Sequence, residues 1–129
     1  MNARGLLAKA NRAAASAEVL LVAGDADGAC NRAYYAMFDS ARAALLASGA
    51  PVEAEVARTH NGLISAFSLH LVRTGRVSVD LGKTLNKAEE LRLAADYKGD
   101  TIDRDDAAWA VKQAQAFVQS MQAIFMPEA

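Results

Sequence analysis

A chain of 129 residues is long enough to bury one hydrophobic core and short for two. Its hydrophobic share of 53 % and charged share of 22 % are those of a globular domain and exclude a disordered chain. A net charge of −1 excludes binding to nucleic acid or anionic membrane through bulk charge alone, so any RNA contact requires a local basic patch or a groove built by assembly.

The first predicted helix runs from about Ala3 to Val22. Leu6, Ala10, Ala13, Ala17, Leu20 and Leu21 recur at steps of three and four, the period of one helix face. Gly24 and Asp25 punctuate it, and Asp25 suits the N-cap of the next helix. That second helix covers about Ala26 to Ser48, with Cys30, Tyr34, Met37, Ala41 and Leu45 as its core stripe. Gly49-Ala50-Pro51 ends it, a glycine followed by a proline. A third helix is expected over about Ala57 to Thr74, carrying Leu63, Ile64, Phe67 and Leu71 on one face and closed by Gly75. The fourth starts at a Ser78 N-cap and reaches about Ala95, with Leu81, Leu85, Ala88 and Ala95 aligned, and Lys98-Gly99-Asp100 breaks it. The fifth opens at Asp103, places Asp105 and Asp106 against the positive end of its dipole, and continues through Val111, Ala114, Val118, Met121 and Phe125. Abundant alanine favours helix throughout, and the two prolines, Pro51 and Pro127, lie outside the periodic segments. Short connections between consecutive helices predict an all-α, up-and-down antiparallel bundle of four to five helices in a single domain, residues 1–129.

One cysteine, Cys30, permits neither an intrachain disulfide nor a cysteine-based zinc site, and it reads as a small buried hydrophobe. No run approaches the ~18 apolar residues of a membrane span, and the N-terminus leads into an alternately polar helix rather than a signal peptide. A cytoplasmic protein without membrane partners is expected. Phosphate-cradling glycine loops and metal-ligand spacings are absent, so no metal and no cofactor is expected.

Two polar residues interrupt apolar stripes. Arg92 falls among Leu81, Leu85, Ala88 and Ala95, where a permanent charge needs partners, and Glu89 and Asp96 stand one turn behind and ahead of it. This is either a structural ion pair or a functional cation. His60 aligns with Leu63, Ile64, Phe67 and Leu71, as either a satisfied core histidine or a titratable group facing the bundle or an interface. If the two stripe ends meet, His60 and Arg92 form a cationic, titratable pair. His70 lies at the stripe edge. On the second helix Arg32, Tyr35, Asp39 and Arg42 form another polar face, read either as a solvated surface or as an interface. Trp109 falls off the stripe of the fifth helix, which suits a contact surface or cover by a neighbouring segment.

Three stretches stand out: Asn31-Arg32-Ala33-Tyr34-Tyr35-Ala36-Met37-Phe38, then Thr59-His60-Asn61-Gly62, then Leu91-Arg92 leading to Ala95-Asp96-Tyr97. Together they resemble one branch of the HEPN family, prokaryotic helical proteins found paired with minimal nucleotidyltransferases. The resemblance implies a four- or five-helix bundle, usually a homodimer, acting as the toxin of a toxin–antitoxin module beside a small nucleotidyltransferase. Many members are metal-independent endoribonucleases. Their catalytic motif is an arginine followed, after four to six residues, by a histidine. Here Arg92 matches the arginine and Tyr97 stands in the histidine position. The resemblance therefore leaves two expectations open. In one, the chain cleaves RNA with Arg92 on the scissile phosphate, His60 as acid–base, Asp96 orienting Arg92 and Tyr97 either contacting RNA or nucleotide or receiving a nucleotide from the partner. In the other, it is a non-enzymatic nucleotide- or RNA-binding adaptor that docks a nucleotidyltransferase through Arg32, Tyr35, Asp39, Arg42 and Trp109.

Overall fold

The structure is a computed structural model that describes residues 2–98 and 101–128, without the side chains of Tyr97 and Lys98. Five α-helices and no strand occur among the described residues: α1 (Ala3–Val22), α2 (Ala26–Ser48), α3 (His60–Phe67), α4 (Val79–Lys98) and α5 (Arg104–Phe125). They pack antiparallel around α2, which lies chiefly against α1 and α5 and also touches α3 and α4.

Local chemistry sets the helix ends. Asn2 caps α1 by accepting the Gly5 N–H, and Asp25 caps α2 by accepting the Gly28 N–H. Gly49 ends α2 in the left-handed conformation with φ +73°, where a Cβ is strained. Ser78 accepts the Leu81 N–H at the start of α4, and Asp103 accepts the Asp105 N–H at the start of α5. The Lys98-Gly99-Asp100 break falls largely outside the described residues, and α4 itself runs three residues beyond Ala95.

The third segment differs from the single helix its periodicity suggests. A 3-10 turn, Val56–Arg58, comes first, Thr59 is then extended, and α3 starts only at His60. Beyond Phe67 the backbone widens into a π turn, Ser68–Val72, in which the Arg73 N–H reaches the Ser68 carbonyl. The stripe reading holds through these changes because Leu63, Phe67 and Leu71 are all buried.

The core joins Leu6, Tyr34, Met37, Leu63, Phe67, Leu85, Phe117 and Met121, with Phe67 and Phe117 ring centroids 5.7 Å apart. Buried alanines on α1, α2 and α5 separate these large residues and let the helices approach closely. The α4–α5 connection is tied down at its end, where the Ile102 N–H donates to Asp27 and Arg104 donates to the Leu21 carbonyl. Cys30 sits in this core, and burial, helped by Asp27, Asp106 and Asp96, pushes its thiol up to about 11. It stays protonated and unreactive at neutral pH.

Candidate functional site: a histidine and an arginine on one tyrosine

The Thr59-His60-Asn61-Gly62 stretch explains where His60 sits. Thr59 caps α3 by accepting the Gly62 N–H, and its hydroxyl donates to the Val56 carbonyl at 3.0 Å. A Cβ on Gly62 would collide with that carbonyl oxygen and with the Thr59 hydroxyl, so only glycine lets the 3-10 turn press against the first turn of α3. His60 is thereby fixed as the first residue of α3, facing α2.

There it meets the aromatic run of α2. The imidazole packs against Tyr34, Tyr35 and Phe38, with centroid separations of 5.5, 5.9 and 5.2 Å. Its Nδ1 lies 2.8 Å from the Tyr34 hydroxyl. That hydroxyl also donates to Glu89 Oε2 of α4 at 3.1 Å. One turn further along α4, the Arg92 guanidinium lies 5.0 Å from the Tyr34 ring centroid, within cation–π range. Tyr34, itself fully buried, thus carries His60 and Glu89 at its hydroxyl and Arg92 at its ring. The three stretches of the HEPN resemblance converge on this residue.

Arg92 is only 7 % exposed. Its Nη1 donates to Asp96 at 2.9 Å, whereas Glu89 bonds to Tyr34 instead. The Arg92 Nε is buried and has no hydrogen-bond partner among the described residues. Tyr97 follows Asp96 on α4, but its side chain lies outside the described residues.

Electrostatics follow from this arrangement. His60 is held below the ordinary imidazole range, first by burial and then by Arg92, against a smaller opposing pull from Glu89. Its neutral, proton-accepting form therefore dominates at neutral pH. Burial and the adjoining Glu89 push the Tyr34 phenol far above its ordinary range, so it keeps its proton.

The polar face of α2 is divided by the fold. Tyr35 joins the His60 cluster, whereas Asp39 is buried with its carboxylate 4.0 Å from Arg42. Burial raises the Asp39 pKa, and Lys9, Arg42 and Arg32 oppose that rise. Arg42 also covers the Phe38 ring and, with Arg58 and Leu45, lines a separate cavity of about 120 Å³. Trp109 is half-buried under the Lys87 ammonium, which lies 4.5 Å from its ring centroid. His70 lies in the π turn, and its ring makes no contact with the cluster among the described residues. Sequence patterning reads Tyr34 only as core and Glu89 only as a partner for Arg92. The available signal was a tyrosine, rather than a phenylalanine, on a buried stripe, since a buried hydroxyl requires a partner.

Among the described residues no group of three or more His, Cys, Asp or Glu side chains is placed to hold a metal ion. No helix among them is long and apolar enough to cross a membrane.

Comparison with known proteins bears on the whole chain. A UPF0332 protein of Gloeobacter violaceus is 34 % identical over 116 residues, covering 88 % of each chain. A UPF0332 protein of Thermotoga maritima is 33 % identical over 97 residues, 73 % of this chain and 68 % of its own. "Putative toxin MJ0605" of Methanocaldococcus jannaschii is 33 % identical over 91 residues, 70 % of this chain and 64 % of that one. The HEPN domain model matches residues 3–124, from the first residue of α1 almost to the end of α5, and the chain belongs to the HEPN domain family.

Proposed function

We propose that this chain is the toxin of a toxin–antitoxin module, paired with a small nucleotidyltransferase, and that it cleaves RNA without a metal ion inside the cell. The observation that carries this reading is the meeting of His60 and Arg92 on Tyr34. The similarity to "Putative toxin MJ0605" supports the biological setting.

The chemistry is transfer of the RNA phosphodiester's phosphorus from the 5′ oxygen to the neighbouring 2′-hydroxyl. His60 takes the 2′-hydroxyl proton as the 2′ oxygen bonds to phosphorus. The bond from phosphorus to the 5′ oxygen breaks, and the imidazolium returns the proton to that leaving oxygen. The products are a 2′,3′-cyclic phosphate and a 5′-hydroxyl end. Arg92 offsets the charge on the phosphate oxygens, for which its planar fork is suited. Asp96 orients Arg92, and Tyr97 contacts the RNA or nucleotide beside it. The working assembly is a homodimer. Exposed Leu46, Val56 and Leu69, together with the polar Arg32–Tyr35–Arg42 face of α2, supply surface for a second copy or for the nucleotidyltransferase. Light scattering at micromolar concentration is expected to give the dimer mass, and a monomer mass excludes this assembly.

A second reading has its own observation. Arg92 is nearly buried and already bonded to Asp96, as befits an adaptor that docks a nucleotidyltransferase and does no chemistry itself.

Purified chain, freed of any partner and incubated with single-stranded RNA in a chelator from about pH 5 to 9, separates the two readings. Ribonuclease action predicts cleavage that survives chelation, leaves cyclic phosphate ends and disappears in His60→Ala. Intact RNA across that range, with tight binding to a nucleotidyltransferase, establishes the adaptor.

A further inference from the structure

The Tyr34 hydroxyl has one proton and two close neighbours, His60 Nδ1 at 2.8 Å and Glu89 Oε2 at 3.1 Å. A carboxylate can only accept a hydrogen bond, whereas a neutral imidazole donates from one nitrogen and accepts at the other. If the phenol donated to His60, its remaining lone pairs would face the Glu89 carboxylate with no proton between them. If it donates to Glu89, the only remaining bond is one from His60 Nδ1–H to the phenol oxygen. This second arrangement satisfies every partner, and it fixes the tautomer, because the nitrogen that donates is the nitrogen that holds the hydrogen.

We propose that Glu89 and Tyr34 are positioning residues that hold His60 in its Nδ1–H form, leaving Nε2 as the atom that takes and returns a proton. This rests on the reading of His60 as the proton-transfer group. His60 Nε2 has no hydrogen-bond partner among the described residues. The chain of bonds survives the reaction: when Nε2 gains a proton, Nδ1–H still donates to Tyr34, and the Glu89 charge now favours the imidazolium. The arrangement does for His60 what a carboxylate does directly for the histidine of a hydrolytic triad, with a phenol inserted between them. Tyr34 carries no proton away, since burial and Glu89 keep its own proton in place. Contacts with Tyr34, Tyr35 and Phe38 restrict rotation of the ring, so the tautomer also fixes the direction in which Nε2 points. The charged groups acting on the imidazole are Arg92 and Glu89, both from α4.

The test needs no RNA. Replacing His70, which lies outside the cluster, with glutamine leaves one histidine whose ring nitrogens are read by NMR. The expected signature is a hydrogen on Nδ1 and none on Nε2 in the neutral form. Tyr34→Phe, which keeps the ring, should lose that signature. Glu89→Gln should keep it, because the amide carbonyl accepts the same bond, but should lower the titration midpoint of His60 by removing the attracting charge. A bare Nδ1 in the parent, or an unchanged signature in Tyr34→Phe, overturns the proposal. An unchanged or raised midpoint in Glu89→Gln overturns the part assigned to Glu89. Should Tyr34→Phe fail to fold, the parent spectrum and Glu89→Gln still decide. Failure of the cleavage reading is separately visible: a hydrogen on Nδ1 beside intact RNA removes the reaction and leaves the relay standing.

Discussion

Replacing Arg92 with methionine should cost the protein almost no stability while removing its action on RNA. The guanidinium is 7 % exposed, yet its contacts among the described residues are few: one bond to Asp96 and one aromatic face. The Asp96 side chain is 45 % exposed, so water screens the pair, which is worth about 0.5–1 kcal/mol. The cation–π contact with Tyr34 adds roughly 1–2 kcal/mol in this partly desolvated setting. Against these, the Nε, buried without a hydrogen-bond partner among the described residues, costs about 1–3 kcal/mol. Methionine removes that cost and keeps most of the volume filled, and the Asp96 carboxylate left behind is hydrated rather than buried. The net change is within about 1 kcal/mol, a shift of roughly 4 °C in the thermal midpoint of a chain this size. Thermal unfolding followed by circular dichroism measures it, alongside RNA cleavage or toxicity in cells. A fall of more than about 8 °C would show that Arg92 is kept for stability, and the functional reading of this residue would go with it.

Two further outcomes follow from the same geometry. Gly62→Ala should destabilise the chain by about 1–3 kcal/mol in urea titration, because the added methyl meets the Val56 carbonyl and the Thr59 cap; an unchanged midpoint would mean the turn relaxes freely. Stability should also decline as pH falls from about 6.5, since the folded state holds the His60 pKa below its ordinary value and the unfolded chain then binds more protons. The contribution is complete above that pH and is lost on the way down to the folded value; His60→Gln should flatten the decline, and an equally steep decline in that variant refutes the assignment to His60.

Helix ends governed by adjacent residues were legible in the sequence. The bounds of α1 and α2 agree with the expected ones because Asp25 and Gly49 act within one turn of the backbone they terminate. The third segment was harder for a physical reason. Leu63, Phe67 and Leu71 keep their common face through both irregular turns, so hydrophobic period alone reads 57–74 as one helix. The local signal lay in Thr59 and Gly62, a cap and a residue without Cβ, which together mark a helix start three residues later than the stripe does.

The site was legible only in part, because a helical wheel assigns direction and not distance. It places His60 and Arg92 on inward stripes, but not the α2 residue that both reach. Tyr34 is fully buried and belongs to the core stripe by every criterion of spacing, so its ring disguises its hydroxyl. The same ambiguity affects Glu89, which stands three residues before Arg92 and is its expected partner along the helix, yet turns to α2. A local pairing rule weighs neighbours on one helix, whereas the buried hydroxyl of Tyr34 is the more demanding claimant. Left without an acceptor it would cost about 1–3 kcal/mol, against a few tenths for a solvent-screened pair along α4. Glu89 therefore serves the tyrosine, and Arg92 is left to Asp96, with an Nε that has no hydrogen-bond partner among the described residues.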